Sequence, residues 1–184
     1  MSGPPPRPTP AQLEAARGAV VSDVIADGLD VLFCGINPGL WSGATGHHFA
    51  RPGNRFWPVL HRSGFTPRQL APWENGELLA LGLGVTNLVP RTTAAAAELT
   101  TAELRAGALA LEAKVARHRP RALAIVGMGA YRTAFRRPRA TMGRQPEDLA
   151  GAEVWMLPNP SGLQARYQLP DLVAAFGELR EAVA

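Results

Sequence analysis

Asp30-Val31-Leu32-Phe33-Cys34-Gly35-Ile36-Asn37-Pro38-Gly39 is the stretch that decides the fold. A short, continuous apolar run opens after an acid and closes on a Pro-Gly turn. A strand with one wet face alternates apolar and polar residues, so an unbroken run fits a strand buried on both faces of a parallel sheet. Gly84 to Val89, Leu123 to Gly127 and Glu153 to Pro158 read the same way. Helical patterns separate them. Leu13, Ala16, Val20 and Val24 follow helical spacing from Ala11 to Ala26, and Gly28 ends that segment. Asn54 to Gly64 has an Asn cap and a Gly stop, and Leu78 to Leu81 ends another short helix. Thr100 to His118 has a capping Thr, an acid in its first turn, basic residues in its last and Pro120 beyond. Ala130 to Arg137 and Leu169 to Val183 are the remaining helices. The alternation predicts a single-domain, three-layer α/β fold, with a short, mainly parallel central sheet of about four strands flanked by helices.

Length and composition agree with one domain. The chain has 184 residues, 46% of them hydrophobic and 18% charged. The domain is expected to span 11–184, behind a disordered Pro-rich tail over 1–10. The one cysteine, Cys34, cannot form an internal disulfide, a Cys-based zinc site or an iron–sulfur cluster. No apolar run is long enough to span a membrane. The expectation is a monomeric, cytoplasmic protein without metal or cofactor. The net charge is +4, and every basic residue except Lys114 is an arginine. Arginine forks match phosphate oxygens, and Arg132 to Arg144 holds five arginines and no acid. A GC-rich coding sequence accounts for arginine richness equally well, so charge alone suggests nucleic acid without establishing it.

In open parallel sheets, ligands bind beyond the carboxyl ends of the strands. The first strand exits into Gly35-Ile36-Asn37-Pro38-Gly39-Leu40. The last exits into Pro158-Asn159-Pro160-Ser161-Gly162-Leu163. Either Asn alone has an ordinary turn role. Two of them, each at the carboxyl end of a strand, would face one another across a single crevice, which turn chemistry alone does not explain.

These two segments resemble the signatures of the mismatch-specific uracil/thymine-DNA glycosylases, a branch of the uracil-DNA glycosylase superfamily. Gly46-His47-His48-Phe49 followed by Pro52-Gly53-Asn54-Arg55-Phe56-Trp57 is similar to that family's pocket loop and helix start. Thr86-Asn87-Leu88-Val89-Pro90-Arg91-Thr92-Thr93 resembles its segment after the second strand. The likeness runs from about Asp30 to the C-terminus. It implies that Asn37 positions the attacking water where faster relatives use Asp. It implies that Phe49 stacks on an extracted base, and that the backbone of Ile36 and Phe49 with the side chains of Asn87 and Asn159 read the pyrimidine. His48 matches a pocket position, with a satisfied core histidine as the equal alternative. Asn54 reads as a helix cap.

The resemblance also implies a wedge that fills the hole left by a flipped base: Gly162, Leu163, Gln164 and Arg166. Leu163 inserts and Gln164 bonds the widowed guanine. Arg166 aligns with the inserting Arg of the thymine-acting branch, whereas bacterial members carry theirs nearer the Leu. Ser161 suits a phosphate contact or a turn cap. Trp41 is either surface or pocket wall, and a small Gly43 would relax exclusion of the thymine methyl. Lys114, on the long helix away from the strand ends, implies no lyase step. The expected function is a monofunctional glycosylase of base excision repair. It hydrolyses the N-glycosidic bond of uracil in G·U mismatches, with thymine in G·T and modified bases as further substrates. Its partner is double-stranded DNA with a mismatched or damaged base. A mismatch-binding protein with little turnover, and an α/β enzyme acting on a free nucleotide, are the alternatives.

Overall fold

The computed structural model describes residues 3–184, so Met1 and Ser2 of the expected tail lie outside the described residues. Four parallel strands carry the sheet: β1 (Val31–Gly35), β2 (Leu83–Asn87), β3 (Ala122–Val126) and β5 (Glu153–Leu157). A fifth, β4 (Gly143–Arg144), pairs antiparallel with β5 at the edge. Two residues are too few to leave a periodic signal, so β4 adds a strand to the expected four. The order is β2-β1-β3-β5-β4. The chain leaves β1 to one side for β2, then crosses to the other side for β3. β1 is therefore the switch point, where loops diverge and a crevice opens.

Both faces of the sheet are covered, as the unbroken apolar strands require. Val31, Phe33, Val85, Ala124 and Leu157 pack with α3 (Phe56–Arg62) and α6 (Leu169–Ala182). Leu32, Cys34, Leu123, Ile125 and Met156 pack on the other side with α4 (Thr101–His118) and α5 (Met128–Ala134). Phe33 centres the first core. It stands edge-on to Phe56 at 5.5 Å and to Phe65 at 5.3 Å, and stacks on Phe176 at 5.9 Å. The Thr100 hydroxyl accepts from the amide of Glu103 at 3.1 Å, and the Glu103 carboxylate accepts from the amide of Thr100 at 2.9 Å. This reciprocal cap contributes about 1 kcal/mol to α4. The segment before β2 is a 3-10 stretch over Pro72–Leu81 rather than a short α-helix, and a short α2 (Leu40–Thr45) follows β1. No helix of the described residues is long and apolar enough to cross a membrane.

The first helix departs most from expectation. α1 covers only Pro10–Ala15, with Thr9 as its cap, and Ala16 to Ala26 is not helical. Gly18 takes φ +76° and turns the chain, and the following residues run extended. Val24 then exchanges two backbone bonds with Val85 on the outer edge of β2, at 2.9 and 2.8 Å, and Val20 bridges to Arg91. Valines spaced four apart fit a helix, but their β-branched side chains suit edge pairing as well. The sheet edge supplied the partner that the local pattern could not reveal.

Segments beyond β1 and β2 continue the ladder as loops. Leu88 N–H donates to Gly35 O at 2.8 Å, Val89 N–H to Ile36 O at 2.9 Å, and Thr93 N–H to Pro38 O at 3.1 Å. Gly107 lets α4 press on this zipped pair, since a Cβ there would stand 2.3 Å from Leu88 O. Ala ordinarily replaces Gly in a helix with a gain of about 1 kcal/mol. Here the sign reverses, because the obstacle is backbone. Gly107→Ala is expected to lower stability by about 2 kcal/mol in urea unfolding.

Candidate active site

A cleft of about 480 Å³ opens at the carboxyl ends of β1, β2, β3 and β5. Gly35, Ile36, Asn37, Asn87, Val126 and Asn159 line it, one contribution from each strand exit or more. The two asparagines expected to face each other across one crevice are both there. So are His48, Phe49, Ser161, Leu163 and Gln164.

Asn37 is held by its amide nitrogen. Nδ2 donates to Arg91 O at 2.9 Å and to Thr93 Oγ1 at 2.8 Å, with Pro38 O further off at 3.3 Å. A backbone carbonyl only accepts, so the nitrogen must face it, and this fixes the carboxamide's orientation. Oδ1 accepts no bond among the described residues, and Asn37 lines the cleft. Thr93 Oγ1 in turn donates to Ala95 O at 2.8 Å. The Arg91 side chain is pinned by Glu103 of α4, with Nε donating to Oε1 at 2.8 Å. That pairing holds the Glu103 carboxyl down at about 2. Arg91 and Thr93 stand in the Thr86–Thr93 segment, where sequence alone assigns them no role. Their contacts run across 54 and 56 residues of sequence, which no local signal carries.

Phe49 forms the floor. It stacks on Phe56 with centroids 4.0 Å apart and planes 22° from parallel. Its ring edge lies against Gly35, where a Cβ would stand 3.4 Å from Cζ. Its backbone is left-handed at φ +51°, a conformation costing a non-glycine residue roughly 1–2 kcal/mol. Neighbouring bonds offset that strain. Trp57 Nε1 donates to His48 O at 3.3 Å, and Ala50 N–H donates to Ser42 Oγ at 3.2 Å.

His48 is 2% exposed, and it is both core and pocket. Nε2 lies 2.8 Å from Ser22 O, an obligate acceptor, so Nε2 carries the proton. Nδ1 is then the acceptor for Asn87 Nδ2 at 3.3 Å. The imidazole thereby orients the Asn87 carboxamide. Asn159 also divides its groups. Oδ1 accepts from Ser161 N–H at 2.9 Å, the turn role, while Nδ2 makes no bond among the described residues. Ser161 Oγ accepts from Leu163 N–H at 3.3 Å, so it caps its own turn.

Leu163 is 71% exposed at the rim. Gly162 sits on the pocket-loop backbone, where a Cβ would come 2.6 Å from Gly53 O. Arg166 does not line the cleft; its guanidinium lies over the Tyr167 ring at 5.5 Å. Arg51 lines the mouth and was not singled out from sequence. Asn54 stands one residue before the Arg55 cap position of α3, where its Oδ1 accepts from Phe56 N–H at 2.9 Å, and it also lines the cleft.

Two expectations change, for Gly43 and Lys114, and the open alternative at Trp41 is resolved. Gly43 is not a cleft residue: a Cβ there would meet Thr92 side-chain atoms at 2.7 Å, so its smallness serves packing. Trp41 does line the cleft, and the Arg7 guanidinium lies 5.6 Å from its ring. Lys114 is close to a strand end after all. Nζ donates to Thr86 Oγ1 at 2.8 Å and pairs with Asp23. Thr86 points to the α4 face, however, and Lys114 does not line the cleft. Cys34 is buried among them, and burial pushes its thiol up to about 12.

Burial holds the His48 imidazole below its ordinary value of about 6.5, partly opposed by the bond to Ser22. As pH falls through about 6.5, the unfolded chain takes up this proton before the folded one. The stability contributed by neutral His48 is therefore full above that pH and is lost below it. Urea unfolding is expected to give a smaller free energy at about pH 5.5 than at about pH 7.5. His48→Gln should narrow that difference. His47, lowered the same way, leaves a remainder.

A family model for the uracil DNA glycosylase superfamily matches residues 22–182. The solution NMR structure of a Methanosarcina acetivorans protein, provisionally described as a uracil DNA glycosylase, superposes with a TM-score of 0.56. That alignment covers 90% of this chain and 98% of the other at 20% identity, a likeness of fold. The family match takes in all five strands, both asparagine loops and the exposed leucine, and the chain belongs to the uracil DNA glycosylase superfamily.

Proposed function

We propose that this protein is a monofunctional DNA glycosylase that removes uracil from G·U mismatches and leaves an abasic site. The observation that carries the reading is Asn37, a cleft residue whose amide nitrogen is tied on two sides while its oxygen accepts no bond among the described residues. A water accepted there attacks C1′ of the flipped nucleotide. The C1′–N1 bond breaks, its electron pair leaves with uracil, and the water's second proton goes to solvent.

The residues around the base suit a reaction driven by electrostatics rather than by a strong base. Among the described residues, none lining the cleft is a carboxylate. An amide orients water but does not take its proton, so the rate rests on stabilising the oxocarbenium-like sugar and the departing uracil anion. Asn159 Nδ2 is an uncommitted donor for a base carbonyl. Neutral His48 holds Asn87 for the pyrimidine edge. Phe49, braced by Phe56, offers a rigid surface for stacking.

Extracting the base costs a few kcal/mol, least at a mismatch. Leu163 stands ready to fill the vacated space. Gln164 beside it carries both a donor and an acceptor for the orphaned guanine, which supports preference for G·U over A·U. Thymine in G·T and modified pyrimidines belong to the same proposal. The protein works as a cytoplasmic monomer without cofactor in this reading.

Single-turnover excision on labelled duplexes carrying G·U, G·T or A·U, or on single strands with U, tests the proposal after alkali cleavage. G·U is expected to be cut fastest. Asn37→Ala should slow it at least about a hundredfold with duplex affinity kept. No excision of any substrate by the wild type, with mismatch binding intact, would replace the enzyme by a lesion-binding protein.

A further inference from the structure

Arg55 is half-buried at the start of α3, and among the described residues no carboxylate pairs with it. Its guanidinium instead gathers four backbone carbonyls from one loop. Nε donates to Pro160 O at 3.3 Å, one terminal nitrogen to Tyr167 O at 2.5 Å, and the other to Ser161 O at 2.8 Å and Gln164 O at 3.0 Å. Its own amide also donates to Pro160 O at 3.0 Å. A charged fork spent on carbonyls of residues 160–167 draws them inward and leaves Leu163 pointing out. Gly162, seated on Gly53, completes the contact between this loop and the pocket loop.

We propose that Arg55 is the positioning residue for base extrusion: it holds the 158–167 loop in the shape that enters DNA before DNA is met. This rests on the glycosylase reading. Ordering a loop during binding takes free energy from the complex, and a loop already ordered spares it. Arg55 therefore governs the step that opens the duplex and not the step that breaks the glycosidic bond. Its planar fork is essential, because one ammonium cannot reach carbonyls spread around it.

Arg55→Lys, Arg55→Ala and Gly162→Ala test this, each first checked for cooperative melting. The loop carries its own reporter, the Arg166–Tyr167 bond, which trypsin cuts when the loop opens. All three variants should be cut there at least about tenfold faster than wild type. They should excise uracil from a paired G·U duplex at least about tenfold more slowly. On uracil in an unpaired bubble, where extrusion is already done, the two Arg55 variants should stay within about threefold. Unchanged cleavage at Arg166 would overturn the proposal, as would an equal loss on both substrates. Full rescue by Arg55→Lys would reduce Arg55 to a bare charge and overturn it too. If wild type excises nothing, the glycosylase reading fails, while the tryptic comparison still decides whether Arg55 holds the loop. Arg55→Lys keeps the charge and most of the side chain, so a folding defect in Arg55→Ala does not remove the test, and Gly162→Ala separately shows that loosening this loop slows excision from the duplex.

Discussion

Two hydrogens on one amide nitrogen organise this site. Asn37 Nδ2 gives them to Arg91 O and Thr93 Oγ1, so the loop leaving β1 and the loop leaving β2 close on one another around it. Everything else follows from that closure. The ladder from Gly35–Leu88 to Pro38–Thr93 sets its position. Glu103, at the capped start of α4, holds Arg91 in line. The free carboxamide oxygen is what remains when every other group of the side chain is committed. An Asn in this setting has one orientation, whereas an Asn in an open turn has two.

The rest of the cleft repeats the same economy at other positions. Asn159 spends its oxygen on its own turn and keeps its nitrogen for a ligand. Asn87 is oriented by His48, whose tautomer is dictated by a carbonyl it meets in the segment before β1. Phe49 accepts an unfavourable backbone conformation and gains a stacked partner beneath its ring. Donor, acceptor and aromatic surface are thus fixed before any ligand arrives. Such preorganisation is where an active site without a strong base obtains its rate.

How much of this was legible in the sequence depended on the range of the interaction. Buried strands and α4 carry their pattern locally, in apolar runs and in Thr100, Glu103 and Pro120. Asn37 and Asn159 were legible because strand exits are where α/β sheets bind. Residues whose reason lies far along the chain were not. Arg91, Thr93 and Arg55 look like any polar loop residue until their partners arrive from elsewhere: the Asn37 amide for the first two, the carbonyls of residues 160–167 for the third. Val20 and Val24 fit helical spacing, but Val24 pairs with the edge of β2 and Val20 with Arg91 beyond it. Gly43 looked like a permissive pocket wall and is small because Thr92 lies against it. In each miss, a tertiary partner outweighed a local preference.

The pairing of Val24 with Val85 has a consequence for the molecule among its own kind. An open sheet has two edges, and each is a template for a foreign strand. At one edge the middle of β2 has already given its outward N–H and C=O to Val24. At the other, β4 is only two residues long and ends in Arg144, which pairs with Asp148 and Glu153. One edge is occupied and the other is short and charged. The sheet is open in its topology, yet neither edge presents a long bare strand to a foreign chain.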